Sequence, residues 1–340
     1  MAEWLCSGLQ LRVHRFDSVL SLHGMKILIT GSSGFIGYHL ARRLLKEGHM
    51  ILGVDNHNDY YNVKLKELRK KELSSQNYKF LFLDINDMYI ANQGFDIAIN
   101  LAAQAGVRVP VEKQHLYEET NINGFKSFIK FCLLNNIRNV IYASSSSVYS
   151  DEGNKKFSES NTQLSPKSKY GASKLENEIY ASDISKNEDL SIMGLRFFSV
   201  YGPYGRPDMA YYSFTDAIKN GKTLHLNNEG NMYRDMTYID DIIDGIYGAM
   251  NYMINSKNKI KNEIINLGND YPIKTYDLLE SLQQKLNKTT KIINIKTSNE
   301  AYRTHADISK ARNLLSYSPK VSFDEGIKKF LEWHKCYENI

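Results

Sequence analysis

Residues 26–37 read KILITGSSGFIG, a short apolar strand that leads through a glycine-rich turn into the start of a helix. Further strand-like runs follow, each separated from the next by a segment with apolar residues at helical spacing: 50–54, 79–83, 96–101, 139–143 and 192–198. Apolar strands that alternate with helices indicate a parallel sheet covered on both faces. The sequence therefore predicts an α/β protein with a doubly wound parallel sheet.

The glycine-rich turn has the surroundings of a dinucleotide site. Gly31, Gly34 and Gly37 follow the first strand and open the first helix. Glycines let the backbone approach a pyrophosphate, whose charge is stabilised at a helix N-terminus. The second strand ends at Asp55, and a carboxylate there suits a ribose 2′-hydroxyl and repels a 2′-phosphate. The pattern predicts a Rossmann-type domain that binds NAD; the alternative is a structural turn with a solvated Asp55.

Composition narrows the class of protein. The 340 residues are 42% hydrophobic and 24% charged, which excludes a mostly disordered or fibrous chain. The net charge of +5 is spread out, so no nucleic-acid partner is predicted. Cys6, Cys132 and Cys336 form no CxxC pair and no zinc spacing, which predicts reduced thiols in the cytoplasm and no metal site. No apolar run approaches the ~18 residues that would insert into a membrane.

Three segments are predicted along the chain. Residues 1–24 lack the unbroken apolar stretch of a signal peptide and are expected to be a peripheral extension, with an amphipathic capping helix as the alternative. Residues 25–200 form the nucleotide-binding domain. Beyond the proline-containing breaks at 202–207, residues 201–340 mix helices and short strands, so we expect a smaller α/β substrate lobe with the ligand in the cleft between the two.

Two motifs near the middle of the chain carry acid–base chemistry. Tyr170 and Lys174 are four residues apart, so they lie on one face of a helix. A phenol with a pKa near ~10 is a poor base at neutral pH, and a neighbouring ammonium favours its ionised form. A run of serines, 144–147, follows the fifth strand. By itself the Tyr/Lys pair is a common surface pattern, and the serine run makes it a candidate catalytic site.

Together these motifs resemble the extended short-chain dehydrogenase/reductases. The resemblance implies the catalytic residues Ser145, Tyr170 and Lys174. It also implies cofactor contacts at Gly31, Gly34, Phe35, Ile36, Gly37, Asp55, Asp84, Ile85, Leu101, Ala102, Ala103, Tyr170 and Lys174. Asn100 stands where relatives usually carry histidine. Relatives usually form a homodimer through a four-helix interface, so a homodimer is expected by analogy.

Within that family, the segments 102–108, 195–210 and 234–241 are similar to the UDP-glucuronate 4-epimerases. The similarity implies a UDP-sugar substrate in the C-terminal lobe, with substrate contacts at Arg108, Ser146, Ser147, Ser199, Arg206 and Arg234. Related dehydratases and decarboxylases carry acidic residues near the catalytic serine, where this chain has Ser146 and Ser147. Epimerisation is therefore favoured over elimination or decarboxylation.

The implied reaction interconverts UDP-glucuronate and UDP-galacturonate through a 4-keto sugar. Because that intermediate is a β-keto acid, the site must keep its carboxylate from leaving as CO2; we expect Ser199 and Ser147 to do this while Arg206 and Arg234 anchor the UDP. Residues 297–307 depart from the family pattern, with Glu300 and Arg303 as candidate replacements. The alternatives are an epimerase for another UDP-hexose or UDP-N-acetylhexosamine, a decarboxylase or dehydratase, and a catalytically silent NAD-binding protein.

Overall fold

The computed structural model describes residues 24–89, 94–150, 153, 155–256, 260–297 and 301–337. The predicted extension at 1–24 lies outside these ranges except for Gly24. The strands are β1 Lys26–Thr30, β2 Met50–Asp55, β3 Tyr78–Phe82, β4 Ile97–Asn100, β5 Asn139–Ser145, β6 Ser191–Phe197, β7 Ser199–Tyr201, β8 Leu224–Asn227, β9 Tyr233–Tyr238, β10 Asn262–Leu267, β11 Pro272–Lys274 and β12 Ile292–Ile295. The helices are α1 Phe35–Lys46, α2 Val63–Glu72, α3 Gly124–Leu134, α4 Lys169–Asn187, α5 Ala210–Lys219, α6 Ile239–Asn255, α7 Thr275–Leu286, α8 Ser309–Leu315 and α9 Phe323–Tyr337.

The main sheet has seven parallel strands in the order β10-β6-β5-β4-β1-β2-β3. The six strands predicted from the sequence are all in it, and the predicted α/β fold with a Rossmann-type, doubly wound parallel sheet is confirmed. The strand order reverses next to β1, where the carboxyl ends of β1 and β4 open a crevice. In sheets of this kind ligands bind at that point.

Alternate residues of the central strands enter two separate cores. Ile27 and Ile29 of β1 pack into the core that includes α1 and α6. Leu28, between them, packs into the core that includes α3 and α4. Ile27, Leu28 and Ile29 are each fully buried. Burial on both faces explains why these strands read as continuous apolar runs in the sequence.

The seventh strand comes from the segment that the sequence assigns to the C-terminal lobe. β10 pairs in parallel with the whole length of β6, from Asn262 opposite Ile192 to Leu267 opposite Phe197. A strand pattern shows that a segment is extended but not which sheet it joins, so the sequence placed 263–268 with the mixed lobe. The rest of that lobe holds a three-stranded sheet, β11-β9-β7, and the parallel pair β12-β8. Within the described residues, no helix has both the length and the apolar character needed to cross a bilayer.

Candidate active site

The glycine-rich turn forms a phosphate cradle, residues 31–37, in which none of the three glycines has room for a side chain. Gly31 has φ +71°, and a Cβ atom there would lie 2.7 Å from the backbone nitrogen of Ala102. A Cβ atom on Gly37 would lie 2.1 Å from the Gly31 carbonyl oxygen. The helix α1 begins at Phe35, and among the described residues no side chain caps its N-terminus at Gly34. The N-terminus is therefore open to an anion at Phe35 and Ile36. The cradle fits a pyrophosphate.

The predicted ribose ligand, Asp55, lies at the end of β2 beside the cradle. Its carboxylate accepts hydrogen bonds from the backbone N–H of Ser33 (3.1 Å) and of His57 (2.8 Å). The His57 ring nitrogen lies 2.9 Å from the Ser33 hydroxyl. A carboxylate has about four acceptor positions, so two remain for ribose hydroxyls. His57 therefore lies against the cradle.

The predicted adenine contacts follow β3. Asp84 accepts hydrogen bonds from the Asn56 side chain (2.7 Å) and from the backbone N–H of Asn86 (2.9 Å). Burial opposes ionisation of Asp84, but these hydrogen bonds outweigh it and hold its pKa below the ordinary value. Ile85 is buried behind it. The carboxylate is thus ionised and held at the edge of the nucleotide crevice.

The segment after β4 forms the opposite wall of this crevice. The Thr30 hydroxyl donates to the Asn100 side chain at 2.5 Å, which ties the ends of β1 and β4 together. The Thr30 oxygen also lies 3.4 Å from the backbone nitrogen of Ala102. Leu101, Ala102 and Ala103 are half-buried there. Asn100, the departure from the family's histidine, therefore holds the strand ends in place.

The structure brings the three predicted catalytic residues together. Ser145 ends β5, and the Ser168 hydroxyl caps α4 by accepting from the backbone N–H of Gly171 at 3.0 Å. A Cβ atom on Gly171 would lie 2.2 Å from the Ser147 carbonyl oxygen, so this glycine lets α4 pack directly on the serine run. As a result the Ser145 hydroxyl hydrogen-bonds the Tyr170 side chain.

Lys174 lies one turn along α4, under the tyrosine. Its Nζ donates to the Ala143 carbonyl at 3.0 Å and lies 5.9 Å from the centre of the Tyr170 ring. Burial lowers the pKa of Lys174 to about 8. Burial raises the pKa of Tyr170 above its ordinary value, opposed by the positive charge of Arg206 and by the Ser145 hydrogen bond. The tyrosine therefore depends on its neighbours to become a base near neutral pH.

Among the predicted substrate residues, Arg206 is the one whose charge acts on the pKa of Tyr170. It forms a bidentate ion pair with Asp208, its Nε 2.9 Å from that carboxylate. The Tyr60 hydroxyl donates to the same carboxylate at 3.1 Å. The sequence places Arg206 with the UDP, and in the structure its positive charge lowers the pKa of Tyr170.

Of the other two predicted arginines, Arg234 lies in the C-terminal lobe, and Arg108 lies in the nucleotide-binding segment and reaches that lobe. Arg234, in β9, donates to the backbone carbonyls of Tyr233 (2.8 Å) and Ala301 (3.0 Å). Arg108 contacts the end of β8, where its two terminal nitrogens lie 2.7 and 3.1 Å from the Asn227 side-chain amide. Both side chains are held by neighbouring segments.

The three predicted substrate serines are all half-buried. Ser146 and Ser147 begin a short 3-10 turn, in which the Ser147 N–H donates to the Ser145 hydroxyl at 3.1 Å. Ser199 begins β7 opposite Met236 of β9. No described residue of the 144–147 run is acidic, so no carboxylic acid stands next to Ser145.

The segment that departs from the family pattern, residues 297–307, is described only in part, and Glu300 lies outside the described residues. Arg303 pairs with Tyr233 through an isolated β-bridge, with its guanidinium 5.5 Å from the centre of the tyrosine ring. Its terminal nitrogen lies 3.4 Å from the His305 ring. Adjacent strand residues point to opposite faces, so Arg303 and Arg234 lie on different faces of β9.

Sequence reasoning missed two groups that support the site. Asn121, in a π-helical turn at Tyr117–Asn123, accepts from the Gln104 N–H (2.8 Å) and donates to the Ser173 hydroxyl (3.0 Å). It therefore joins the crevice wall to the catalytic helix. Glu178 forms a buried ion pair with Arg196 at 2.7 Å and accepts from Ser144 at 2.5 Å. Glu178 follows Lys174 by one helical turn, a signal that was available in the sequence.

A dinucleotide cradle at the switch point of a parallel sheet, beside a serine, a tyrosine and a lysine in contact, defines an enzyme of the short-chain dehydrogenase/reductase type. Residues 27–268 match the NAD dependent epimerase/dehydratase family, and the chain belongs to it. The predicted family, the NAD cofactor and the assignment as an NAD-dependent epimerase are thereby confirmed.

Individual relatives cover most of the chain. Protein CapI of Staphylococcus aureus is 37% identical over 92% of this chain and 99% of its own length. UDP-glucuronate 4-epimerase 2 of Arabidopsis thaliana is 36% identical over 98% of this chain and 81% of its own length. The crystal structure of UDP-glucuronic acid 4-epimerase from Bacillus cereus, in complex with UDP-glucuronic acid and NAD, is 33% identical with a TM-score of 0.85, and covers 92% of this chain and 100% of that one.

Proposed function

We propose that this chain is a UDP-glucuronate 4-epimerase that interconverts UDP-glucuronate and UDP-galacturonate. The observation that carries the proposal is the composition of the reacting end: Ser145, Tyr170 and Lys174 are in contact, the adjacent positions are serines, and Arg206 acts on the tyrosine. The serines leave no acid at the positions that serve elimination or decarboxylation in the related enzymes, which favours epimerisation. The named relatives support the same substrate.

NAD would be held by the phosphate cradle, by Asp55 at the ribose and by Asp84 at the adenine. When bound there it supplies the acceptor for the hydrogen removed from C4 and the donor that returns it. The chain's own groups move the proton. Tyr170 takes it from the C4 hydroxyl, Ser145 hydrogen-bonds the same oxygen, and the Lys174 ammonium favours the ionised tyrosine. Turning the keto sugar over between the two transfers inverts C4.

Retention of the carboxylate is assigned to Ser199 and Ser147. A β-keto acid loses CO2 when its breaking bond aligns with the carbonyl π system, so hydrogen bonds that hold the carboxylate out of alignment protect it. Arg234 anchors the UDP from the C-terminal lobe, with Arg108 as a further contact. The proposed role of Arg206 in anchoring UDP is extended to the sugar end, because its charge reaches Tyr170.

The test is an NMR time course of the purified protein with UDP-glucuronate and no added NAD. Appearance of UDP-galacturonate without CO2 or free NADH is the expected result and requires a cofactor retained through purification. Tyr170→Phe is the control and should lower the rate by at least ~10²-fold. Release of CO2 as the main product would contradict the proposal and indicate a decarboxylase instead. Turnover of UDP-glucose or UDP-N-acetylglucosamine alone would replace it by a neutral-sugar epimerase.

We also propose a homodimer and a cytoplasmic location. Leu134 at the end of α3 is 73% exposed and Ile179 on α4 is 56% exposed, so neighbouring helices present apolar side chains that a second copy would cover. Light scattering of the chain and of Ile179→Lys tests this, since a dimer through α3 and α4 should dissociate in the variant. The location is supported by cysteine usage, with Cys132 and Cys336 free thiols. The lobes keep the proposed roles, 25–200 for NAD and 201–340 mainly for the UDP-sugar.

A further inference from the structure

A buried arginine outside the proposed catalytic machinery connects the two halves of the active site. Arg69, in α2, is completely buried. One terminal nitrogen donates to the Ser33 carbonyl in the phosphate cradle (3.0 Å) and to the Tyr61 hydroxyl (2.6 Å). The other donates to the carbonyls of Tyr204 (2.6 Å) and Gly205 (3.2 Å). All four terminal N–H groups have acceptors. Besides Tyr61, they reach the phosphate cradle and residues 204–205, two loops that are far apart in sequence.

These acceptors are all neutral. Within the described residues no carboxylate lies at ion-pair distance from Arg69, and its Nε has no partner. A buried cation is costly unless its donors are satisfied, by several kcal/mol in such surroundings. Because the guanidinium is satisfied only when the cradle and the 204–205 segment are both in place, the position of each segment depends on the other.

A second side chain holds the neighbouring carbonyl. His39, in α1 directly behind the cradle, donates from Nε2 to the Pro203 carbonyl at 3.0 Å. Three consecutive carbonyls, 203 to 205, are thus bound by side chains of the nucleotide-binding domain. His39 and Arg69 are called the carbonyl clamp below. The held segment leads directly into Arg206, the residue whose charge acts on Tyr170.

The geometry of the held segment explains why a clamp is needed. Tyr204 has φ +57°, in the left-handed region that costs a non-glycine residue about 1 kcal/mol or more. Its hydroxyl donates to Glu72 at 2.5 Å, and Glu72 lies one turn after Arg69 on α2. A strained residue is therefore held at both its carbonyl and its side chain by a single helix.

We propose that Arg69 and His39 are positioning residues that hold residues 203–208, and with them Arg206, in place at the active site, and that Arg69 makes this hold depend on the formed phosphate cradle. The part concerning catalysis rests on the proposed epimerase function. The part concerning loop position does not, because it can be measured without turnover.

Loop position is measured with Trp333, whose ring lies 5.0 Å from the Tyr204 ring. Trp4→Phe leaves Trp333 as the one tryptophan of the holoenzyme. In that background Arg69→Met should raise acrylamide quenching of Trp333 at least twofold. Arg138→Met is the matched control, since Arg138 is an exposed arginine bonded to the Asp189 carbonyl at 2.9 Å, and it should leave quenching unchanged.

Activity separates positioning from a general structural role. Arg69→Met should lower kcat roughly 10- to 100-fold, as expected for misplaced groups, with KM changed less than about threefold. In an Arg206→Met background the same substitution should cost less than about threefold, because its target is already gone. Equal losses in both backgrounds would overturn the proposal.

If Arg69→Met does not fold, Arg69→Lys replaces it in every measurement. The lysine keeps the charge and most of the volume, but a single ammonium cannot reach both loops, so quenching should still rise. Unchanged quenching in the folded variant overturns the clamp. Failure of the unmodified chain to epimerise UDP-glucuronate would overturn the proposed function and leave the quenching test of the clamp intact.

Discussion

The cofactor end and the substrate end of this active site are built in different ways. The cofactor end uses backbone: seven consecutive residues make the cradle, and three of them have no space for a Cβ atom. The substrate end uses side chains from separate segments, in which Arg206 of one loop is held by Asp208, Tyr60 and the carbonyl clamp. Substitutions in the cradle should therefore remove the cofactor altogether, whereas those at the substrate end should change rates and product ratios.

The largest effect is expected at Gly31. Gly31→Ala combines positive φ with a contact at 2.7 Å to the Ala102 nitrogen, so the purified protein should carry no NAD and lose more than ~10²-fold in activity. NAD content is measured by chromatography after denaturation. Gly48→Ala is the control, because Gly48 also has positive φ (+86°) but nothing within 4 Å. Retention of NAD by Gly31→Ala would show that the cradle is not limited by space.

The next effect concerns the pH dependence of turnover. The Arg206 charge lowers the pKa of Tyr170, so Arg206→Met should raise that pKa, move the ascending limb of kcat to higher pH and lower the rate at pH 7. Asp208→Asn is the matched opposite, because the Asp208 charge raises the same pKa and its removal should move the limb to lower pH. If both variants moved the limb in the same direction, the limb would not report the ionisation of Tyr170.

A smaller effect is expected on product partition. Ser199→Ala should raise the ratio of CO2 to UDP-galacturonate severalfold, since one hydrogen bond contributes about 1 kcal/mol. The ratio is measured by NMR together with trapped CO2. Ser199→Thr keeps the hydroxyl and should restore the original ratio. An unchanged ratio in Ser199→Ala would remove the proposed role of Ser199 while the acid–base centre stands.

The smallest effect is on stability and involves the clamp. Burial lowers the pKa of His39 from 6.5 to about 3, so between these values the unfolded chain binds a proton that the folded chain does not. His39 therefore costs stability as pH falls below about 6.5, by at most ~1.4 kcal/mol per pH unit. Urea unfolding at pH 7 and pH 5 should show a smaller decrease in His39→Gln than in the unmodified chain. Identical decreases would show that His39 titrates normally.

The sequence predicted most of the cofactor end because its signals are local. The glycine spacing, Asp55 after β2 and the four-residue interval from Tyr170 to Lys174 each lie within one element or one connection. The predicted strands agree with the structure within one residue at each end, except that β5 extends two residues further, to Ser145. Local patterns of this kind are set by chain geometry, which the sequence encodes directly.

The substrate end was less accessible because its contacts are long-range. Arg69 and His39 look like ordinary members of α2 and α1, and only the folded chain shows that they reach residues 203–205. Asn121 likewise gives no pattern in the sequence, since its partners are Gln104 and Ser173 in other segments. The resemblance identified Arg206, but its effect on the pKa of Tyr170 came from the structure.

The seventh strand has a consequence for how the protein is made. β6 lies between β5 and β10, so it remains an unpaired edge, rich in apolar side chains, until residues 262–267 have left the ribosome. Unpaired edges of this kind favour association with other chains. About 65 residues separate the end of β6 from the start of β10, roughly 3 to 13 s of synthesis. During that interval the nascent nucleotide-binding domain needs protection, and translation pauses after residue 197 should increase aggregation.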